Sequence, residues 1–491
     1  MIIKTNQDEF LSYLSDASSY EGRAEAVYLP ESEAEIIALV KQCTRDGVRM
    51  TVSGNRTGLT GAGVPEGGIV VSTEKLNKIM ELSPHDKFVY VQPGVILKDL
   101  QDYVEAQNLF YPPDPTERNC FVGATVATNS SGARSFKYGP TRNYVLGMKV
   151  VLPSGDTLTL KQGQILASSY AFSFQTDQGS HYTFTIPRFT LPETKNASGY
   201  FCKKNMDLMD LFIGSEGTLG IMTELKLKLL PLAERILSCV VFFEQEGDAL
   251  CFIDEARAKT KSGSLPEAVK ISARGLEYFD RRALDFLRPD YPAVPEQTCA
   301  VWFEQELGEN EDACIAAWLR LIQKHHADAD KAWVAVERKD MEKIKDFRHA
   351  ISWKVNDFVA RHGLRKVGTD VAVPEAQFPS FYRWMTKLMA QHQMAYVVYG
   401  HFGDCHAHLN MLPENQQEFD QAQKLYREIC SEAVRRQGTV SAEHGIGKMK
   451  RDYLLLMYGE PVIRRMAALK RIFDPYRILN IGNLFEERYL Q

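Results

Sequence analysis

Thr51-Val-Ser-Gly-Asn-Arg-Thr-Gly-Leu-Thr-Gly-Ala-Gly63 places four glycines within ten residues, between the apolar stretch Val48–Val52 and a second one, Gly68-Ile-Val-Val-Ser72. Glycine lacks a Cβ and tolerates positive φ, so successive backbone N–H groups of such a loop can converge on an anion, with the Thr57 and Thr60 hydroxyls as further donors. A phosphate cradle is one reading. A glycine-rich hairpin that binds nothing is the other, and the stretch alone weighs equally for both. Two familiar fingerprints are excluded either way. No Gly-Lys-Ser/Thr closes the loop as in a P-loop, and a strand follows where a Rossmann turn would open a helix.

A chain of 491 residues exceeds one hydrophobic core, so two or three domains are expected. The net charge of -5, with no long run of Lys and Arg, excludes an electrostatic footprint for nucleic acid. The start Met1-Ile-Ile-Lys-Thr-Asn-Gln-Asp-Glu turns polar and acidic where a signal peptide turns apolar, which sets a cytoplasmic location as the expectation. No apolar run approaches the roughly eighteen residues a membrane span needs, leaving at most peripheral contact with the inner membrane. Nine cysteines without a CxxC pair argue against a disulfide framework and a thiolate zinc site, and read as small core residues. The Asn196-Ala-Ser198 sequon is read as accidental.

Around the glycine stretch the pattern is α+β. Pro30-Glu-Ser-Glu-Ala-Glu opens an amphipathic helix to about Asp46, and strands near Val70, Ile79 and Val89 precede a helix Leu97–Gln107. Tyr111-Pro-Pro-Asp-Pro-Thr116 cannot be regular structure. Gly123-Ala-Thr-Val-Ala-Thr-Asn-Ser-Ser-Gly-Ala133 and Ile213-Gly-Ser-Glu-Gly-Thr-Leu-Gly-Ile221 are two further small-residue runs. Each reads either as close approach to a ligand or, for the first, as a small-residue helix packed on a sheet. Three such runs in about 230 residues suit a long phosphate-bearing ligand such as an adenine dinucleotide. Residues 161–200 show no period and are expected to be an excursion, with a hairpin as its form. Beyond Pro231, strands and helices alternate, and Val241-Phe-Phe-Glu-Gln-Glu246 echoes Val301-Trp-Phe-Glu-Gln-Glu306, a sign of a duplicated strand–helix pair.

The chemistry gathers in Gly400-His-Phe-Gly-Asp-Cys-His-Ala-His-Leu-Asn410, three imidazoles and a carboxylate in a glycine-interrupted turn after an apolar strand. His401 and His408 can fold toward one point, with Glu443 as third ligand, giving the open two-His, one-carboxylate set of a catalytic Zn, Mn or Fe site. His406 is expected to face away from His408 in an extended segment. Cys405 ranks low as a ligand. The bland alternative is a polar hairpin with solvated histidines. In Glu443-His444-Gly445 the carboxylate can hold a metal while the imidazole moves a proton; otherwise the pair is a charged helix N-terminus.

In this combination and order the five motifs resemble the FAD-dependent 2-hydroxyacid dehydrogenases of the vanillyl-alcohol oxidase and p-cresol methylhydroxylase fold, a family that includes D-lactate and D-2-hydroxyglutarate dehydrogenases and the large subunit of glycolate oxidase. The resemblance implies a two-subdomain FAD-binding domain over residues 1–232, an α+β cap domain with an antiparallel sheet over 233–440, and a segment 441–491 that closes over the flavin. It implies pyrophosphate contacts from Gly54, Asn55, Arg56, Thr57, Gly58, Leu59 and Thr60. Further FAD contacts would come from Pro113, Asp114, Thr116, Gly123, Ala124, Thr128, Ser130, Gly132, Glu216, Gly220, Ile221 and Asn480. Some relatives bind FAD covalently through a histidine in the glycine loop; Gly54-Asn55-Arg56 stands there in this chain, so the FAD is expected to be dissociable. His401, His408 and Glu443 match the metal ligands and His444 the base. Arg348, Ser352, Asn410 and, in the closest available register, Lys366 match substrate contacts.

The implied reaction oxidises a D-2-hydroxy acid such as D-lactate. The metal lowers the pKa of the hydroxyl, His444 takes its proton, and hydride passes to flavin N5. A quinone, a cytochrome or an electron-transfer protein would re-oxidise the flavin, and a homodimer or a larger complex is compatible. Two positions depart from the family pattern: Gly403-Asp-Cys-His-Ala-His408 replaces Gly-Asp-Gly-Asn-Leu-His, and Gly123-Ala124 replaces Gly-Gly. Glycolate or D-2-hydroxyglutarate as substrate, a flavin oxidase or alkyl-transferring synthase, and a non-catalytic flavoprotein subunit are the alternatives.

Overall fold

Met50–Ser53 and Ile69–Ser72, the strands on either side of the glycine stretch, lie parallel, with Met50 opposite Ile69 and Ser53 opposite Ser72. A hairpin joins antiparallel strands, so the glycine stretch is a crossover and the hairpin reading is corrected. These are features of a computed structural model that describes residues 1–262 and 271–491. Ala26–Leu29 adds a parallel neighbour and Ile2–Lys4 an antiparallel edge. The helix Glu33–Asp46 covers this sheet with Ile36, Leu39, Val40 and Cys43, the spacing of one helical stripe. Ser32 rather than Pro30 starts it, its hydroxyl accepting the Glu35 N–H, and Gly47 at φ 68° ends it.

A second sheet is antiparallel, in the order Ile79–Ser83, Phe88–Val91, Ile221–Lys228, Val145–Val151, Thr157–Lys161. Its Val151 and Ile221 pack into the core of the first sheet with Ile36, Val71 and Leu479, which fixes the two sheets against each other. The small-residue run after Phe121 is a helix, Val122–Thr128. Residues 161–200 contain the expected hairpin, Ala171–Gln175 with His181–Thr185.

Among the described residues the third sheet is antiparallel and has eight strands, including Arg235–Phe243, Ala273–Phe279, Cys299–Leu307, Trp333–Ala335, Tyr396–Gly400 and His406–Met411. Two strand–helix–strand units interlock in it: Arg235–Phe243 lies between both strands of the second unit, and Cys299–Leu307 between both strands of the first. Val241 pairs with Val301, so the two echoing motifs meet at the point where the units exchange. The echo therefore marks a real internal two-fold.

The chain ends where it began. After the helices Arg451–Tyr458 and Glu460–Phe473, the Met50 N–H donates to the Ile478 carbonyl at 2.6 Å and the Asn480 N–H to the Met50 carbonyl at 2.8 Å. Eight of the nine cysteines are buried and all are free, as a core role requires; Cys251 is exposed. No helix among the described residues is long and apolar enough to cross a membrane.

Candidate active site

A cavity with ≈ 890 Å³ of empty space opens beyond the ends of Met50–Ser53 and Ile69–Ser72. Gly54, Asn55, Arg56, Thr57, Gly58 and Thr60 form one wall, and Gly123, Ala124 and Thr128 from the helix Val122–Thr128 form another. The small-residue run is thus both a packed helix and a cavity wall. Glu216, Gly220, Ile221, Asn480 and His444 also line it. A Cβ on Gly123 would sit 2.4 Å from a Pro93 carbon, and one on Gly54 3.0 Å from the Ala124 methyl. The Ala124 departure is accommodated because Gly54 leaves that space free. The Ser53 hydroxyl and one Arg56 amino group are buried on this wall without hydrogen-bond partners. Orphaned donors in a concave site call for an acceptor such as a phosphate oxygen, so the wall fits the anionic part of FAD.

Six of the expected FAD contacts do not line the cavity. Leu59 and Thr116 are exposed. The Pro113 carbonyl accepts from Gln101 at 2.9 Å, and Asp114 lies 3.4 Å from Arg134. Burial opposes ionisation of Asp114, but Arg134 holds its carboxyl at about 2. Gly132 packs on the Asp114 carbonyl, and the Ser130 and Thr128 hydroxyls bond each other at 2.8 Å. Glu216 turns its carboxylate to the N–H groups of Ile446 and Gly447, at 2.6 and 2.7 Å. The Asn480 amide accepts from Val52 N–H and donates to the Glu216 carbonyl. Both tie the cavity together from behind. Asp16, absent from the sequence expectations, also lines it and accepts from the Gly61 N–H.

His401, His408 and Glu443 come together. The Nε2 atoms of both histidines lie 3.2 Å from Glu443 Oε1. Each imidazole has an acceptor behind it: His401 Nδ1 is 2.6 Å from Glu277 Oε1, and His408 Nδ1 is 3.0 Å from the Thr369 carbonyl. Backed imidazoles facing a shared carboxylate are arranged like metal ligands with their orienting partners. They are no solvated hairpin: His401 is buried, and burial opposes its charge while Glu277 and Glu443 raise it to about 9. Despite burial, Lys195 and His401 hold the Glu443 carboxyl well below the usual range. Lys195 comes from the 161–200 excursion and reaches Glu443 Oε2 at 2.7 Å.

The expectation for His406 is corrected. In the strand His406–Met411, residues two apart share a face, and the rings of His406 and His408 are 4.4 Å apart. Cys405 occupies the left-handed turn before that strand, and burial pushes its thiol up to about 12, so it stays protonated and stands outside the cluster.

Glu443 and His444 sit in an irregular loop, so the helix N-terminus reading is also corrected. Buried Asp370 organises that loop. It accepts from Ser441 Oγ at 2.6 Å, from Lys450 Nζ at 2.7 Å and from the N–H groups of Glu443 and His444. His444 Nδ1 lies 3.4 Å from Asp370, and burial pulls its imidazole down to about 4, which leaves it neutral at ordinary pH. Arg348 stacks 4.8 Å above the Trp302 ring, 4.0 Å from Glu277, with its Nε buried and unpartnered. Asn410 shares the strand face of His406 and His408 and donates to the His408 carbonyl. Lys366 lies 3.5 Å from the Tyr399 hydroxyl, and the Tyr399 ring is 6.0 Å from that of His408. Ser352 is half-buried one turn beyond Arg348.

Comparison with known proteins bears on the family. Residues 24–161 match the model of an FAD binding domain, and residues 251–484 that of the C-terminal domain of FAD linked oxidases. The chain is 31% identical to glycolate oxidase subunit GlcD of Bacillus subtilis, over 97% of this chain and 92% of that one. It is 29% identical to a D-lactate dehydrogenase of Anaerostipes hadrus, over 96% and 92%, and 27% identical to a D-2-hydroxyglutarate dehydrogenase of Stutzerimonas stutzeri, over 98% and 96%. Among solved structures, an alkyldihydroxyacetonephosphate synthase superposes with a TM-score of 0.69 at 16% identity, covering 97% of this chain and 81% of that one, a likeness of fold.

Proposed function

Because the chain belongs to the FAD-linked oxidoreductases of the D-2-hydroxyacid dehydrogenase family, we propose that it oxidises a D-2-hydroxy acid of lactate size to the 2-oxo acid, using dissociable FAD and a divalent cation, Zn first and Mn or Fe next. The observation that carries this reading is the meeting of His401, His408 and Glu443 beside His444, which itself lines the glycine-walled cavity. FAD supplies the two-electron acceptor and the cation the Lewis acidity that eases loss of the hydroxyl proton. The chain's own residues do the rest. The neutral His444 has Nδ1 turned to Asp370, which leaves Nε2 to take the hydroxyl proton. Asp370 holds the ring and, through two N–H bonds, the loop that carries it. Arg348 offers its unpartnered Nε–H to the substrate carboxylate. No histidine stands in the glycine loop to hold the flavin covalently.

A second reading, a longer dicarboxylate such as D-2-hydroxyglutarate, is favoured by one observation: Lys366 stands within reach of the Tyr399 side of the cluster. Anaerobic bleaching of the flavin by D- and L-lactate, glycolate, D-2-hydroxyglutarate and D-malate, with and without chelator, tests both. D-lactate should bleach fastest and chelator should abolish the reaction. Bleaching by none of these acids would refute the assignment, and a rate indifferent to chelator would refute the metal.

A further inference from the structure

His406 is fully buried, and neither ring nitrogen has a hydrogen-bond partner. Leaving such a group unsatisfied costs about 1–3 kcal/mol, so the ring nitrogen that does not face Asp370 calls for a partner that the protein itself does not supply. One of its nitrogens lies within 4.8 Å of the ligand atoms of His401, His408 and Glu443, and its ring is 4.4 Å from that of His408 and 5.3 Å from that of His401. Its Nε2 is 3.2 Å from Asp370 Oδ1, an ion-pair contact. The pattern matches the other two histidines, since each has an oxygen acceptor at one nitrogen, Glu277 for His401 and the Thr369 carbonyl for His408. A carboxylate or carbonyl at one nitrogen is what orients the other toward a metal.

We propose that His406 is a third imidazole ligand, so that the cation is held by three histidines and Glu443, an inference that rests on the metal reading of the site. A cation so held keeps fewer open positions, and the added imidazole favours Zn, Co, Ni or Cu over Mg and Mn. It also puts Asp370 in contact with both a ligand and the base, because the same carboxylate faces His406 and His444. The residue in the family pattern at this position is Asn, which makes His406→Asn the informative variant.

The test is X-ray absorption on the Zn²⁺-loaded, flavin-containing full chain, together with Zn²⁺ affinity from competition with a chromophoric chelator. The wild type should show three imidazoles. His406→Asn should show two, bind Zn²⁺ at least about tenfold more weakly, and keep its flavin. Two imidazoles in the wild type, or equal affinity in both proteins, would overturn the proposal while the reading of His401, His408 and Glu443 stands. A wild type that takes up no Zn²⁺ would overturn both. Should the variant lose its flavin, the imidazole count of the wild type decides alone.

Discussion

Replacing Lys195 by Met probes how the candidate site balances its charge. The Lys195 ammonium is 8% exposed, donates to Glu443 at 2.7 Å and stands 3.8 Å from Asp404, whose Oδ2 has no hydrogen-bond partner. Lys195→Met leaves both carboxylates buried without it. Breaking a buried pair from one side costs about 3–5 kcal/mol, more than the contact itself contributes, because the remaining charge is neither solvated nor paired. A divalent cation at Glu443 would supply the missing charge, so the loss belongs to the metal-free protein. At about 1 °C per kcal/mol for a chain of this length the thermal midpoint in chelator should fall by roughly 3–5 °C, and saturating Zn²⁺ should recover most of it. Scanning fluorimetry of wild type and variant, each with chelator and with Zn²⁺, gives the four midpoints needed. A fall below roughly 2 °C in chelator, or one that Zn²⁺ leaves unchanged, would show that Lys195 does not compensate Glu443.

Three further outcomes follow from the geometry. His444→Ala should retain FAD and reduce it about a hundredfold more slowly, the usual scale of general-base loss, read from anaerobic stopped-flow bleaching. Arg348→Lys should raise KM for the hydroxy acid roughly tenfold to a hundredfold with flavin content unchanged, since an ammonium cannot reproduce the guanidinium fork; steady-state kinetics with an artificial acceptor would show it. Burial raises the Glu216 carboxyl from 4.5 to about 7, so the folded chain holds that proton more tightly than the unfolded chain. Its stabilisation is complete below pH 4.5 and is lost as pH rises through about 7, on the order of 3 kcal/mol. Thermal midpoints from pH 5 to pH 8 should therefore fall less in Glu216→Gln than in the wild type, and equal slopes would exclude Glu216 as the cause.

What could be read from the sequence was what is local. Glycines that accept close approach announce themselves by spacing alone, and the density of histidine between Gly400 and Asn410 marked the chemistry. The direction of the strands around the glycine stretch was not legible, because parallel pairing is a property of the sheet and not of the loop. The same holds for the missed residues. Lys195 meets Glu443 across 248 positions, and Glu277 meets His401 across 124. Asp370 has nothing nearby in the sequence to show that a loop about seventy residues on folds around it. The His406 error is of another kind. The alternation of a strand puts residues two apart on one side, and applied correctly it would have grouped His406 with His408 from the sequence.

The union of Val52 with Asn480 sets a condition on assembly. Residues 428 positions apart share a hydrogen bond on the cavity wall, and the glycine loop at the other end of that wall is made early in synthesis. A nascent chain emerging at about 5–20 residues per second spends tens of seconds with its glycine loop formed and its counterpart not yet made. Flavin retention is therefore expected to wait for the segment that carries Asn480. Clipping the chain before residue 478 removes Asn480 together with Ile478 and Leu479 from the shared core of the first two sheets, and should leave the flavin unretained, read as loss of the yellow colour.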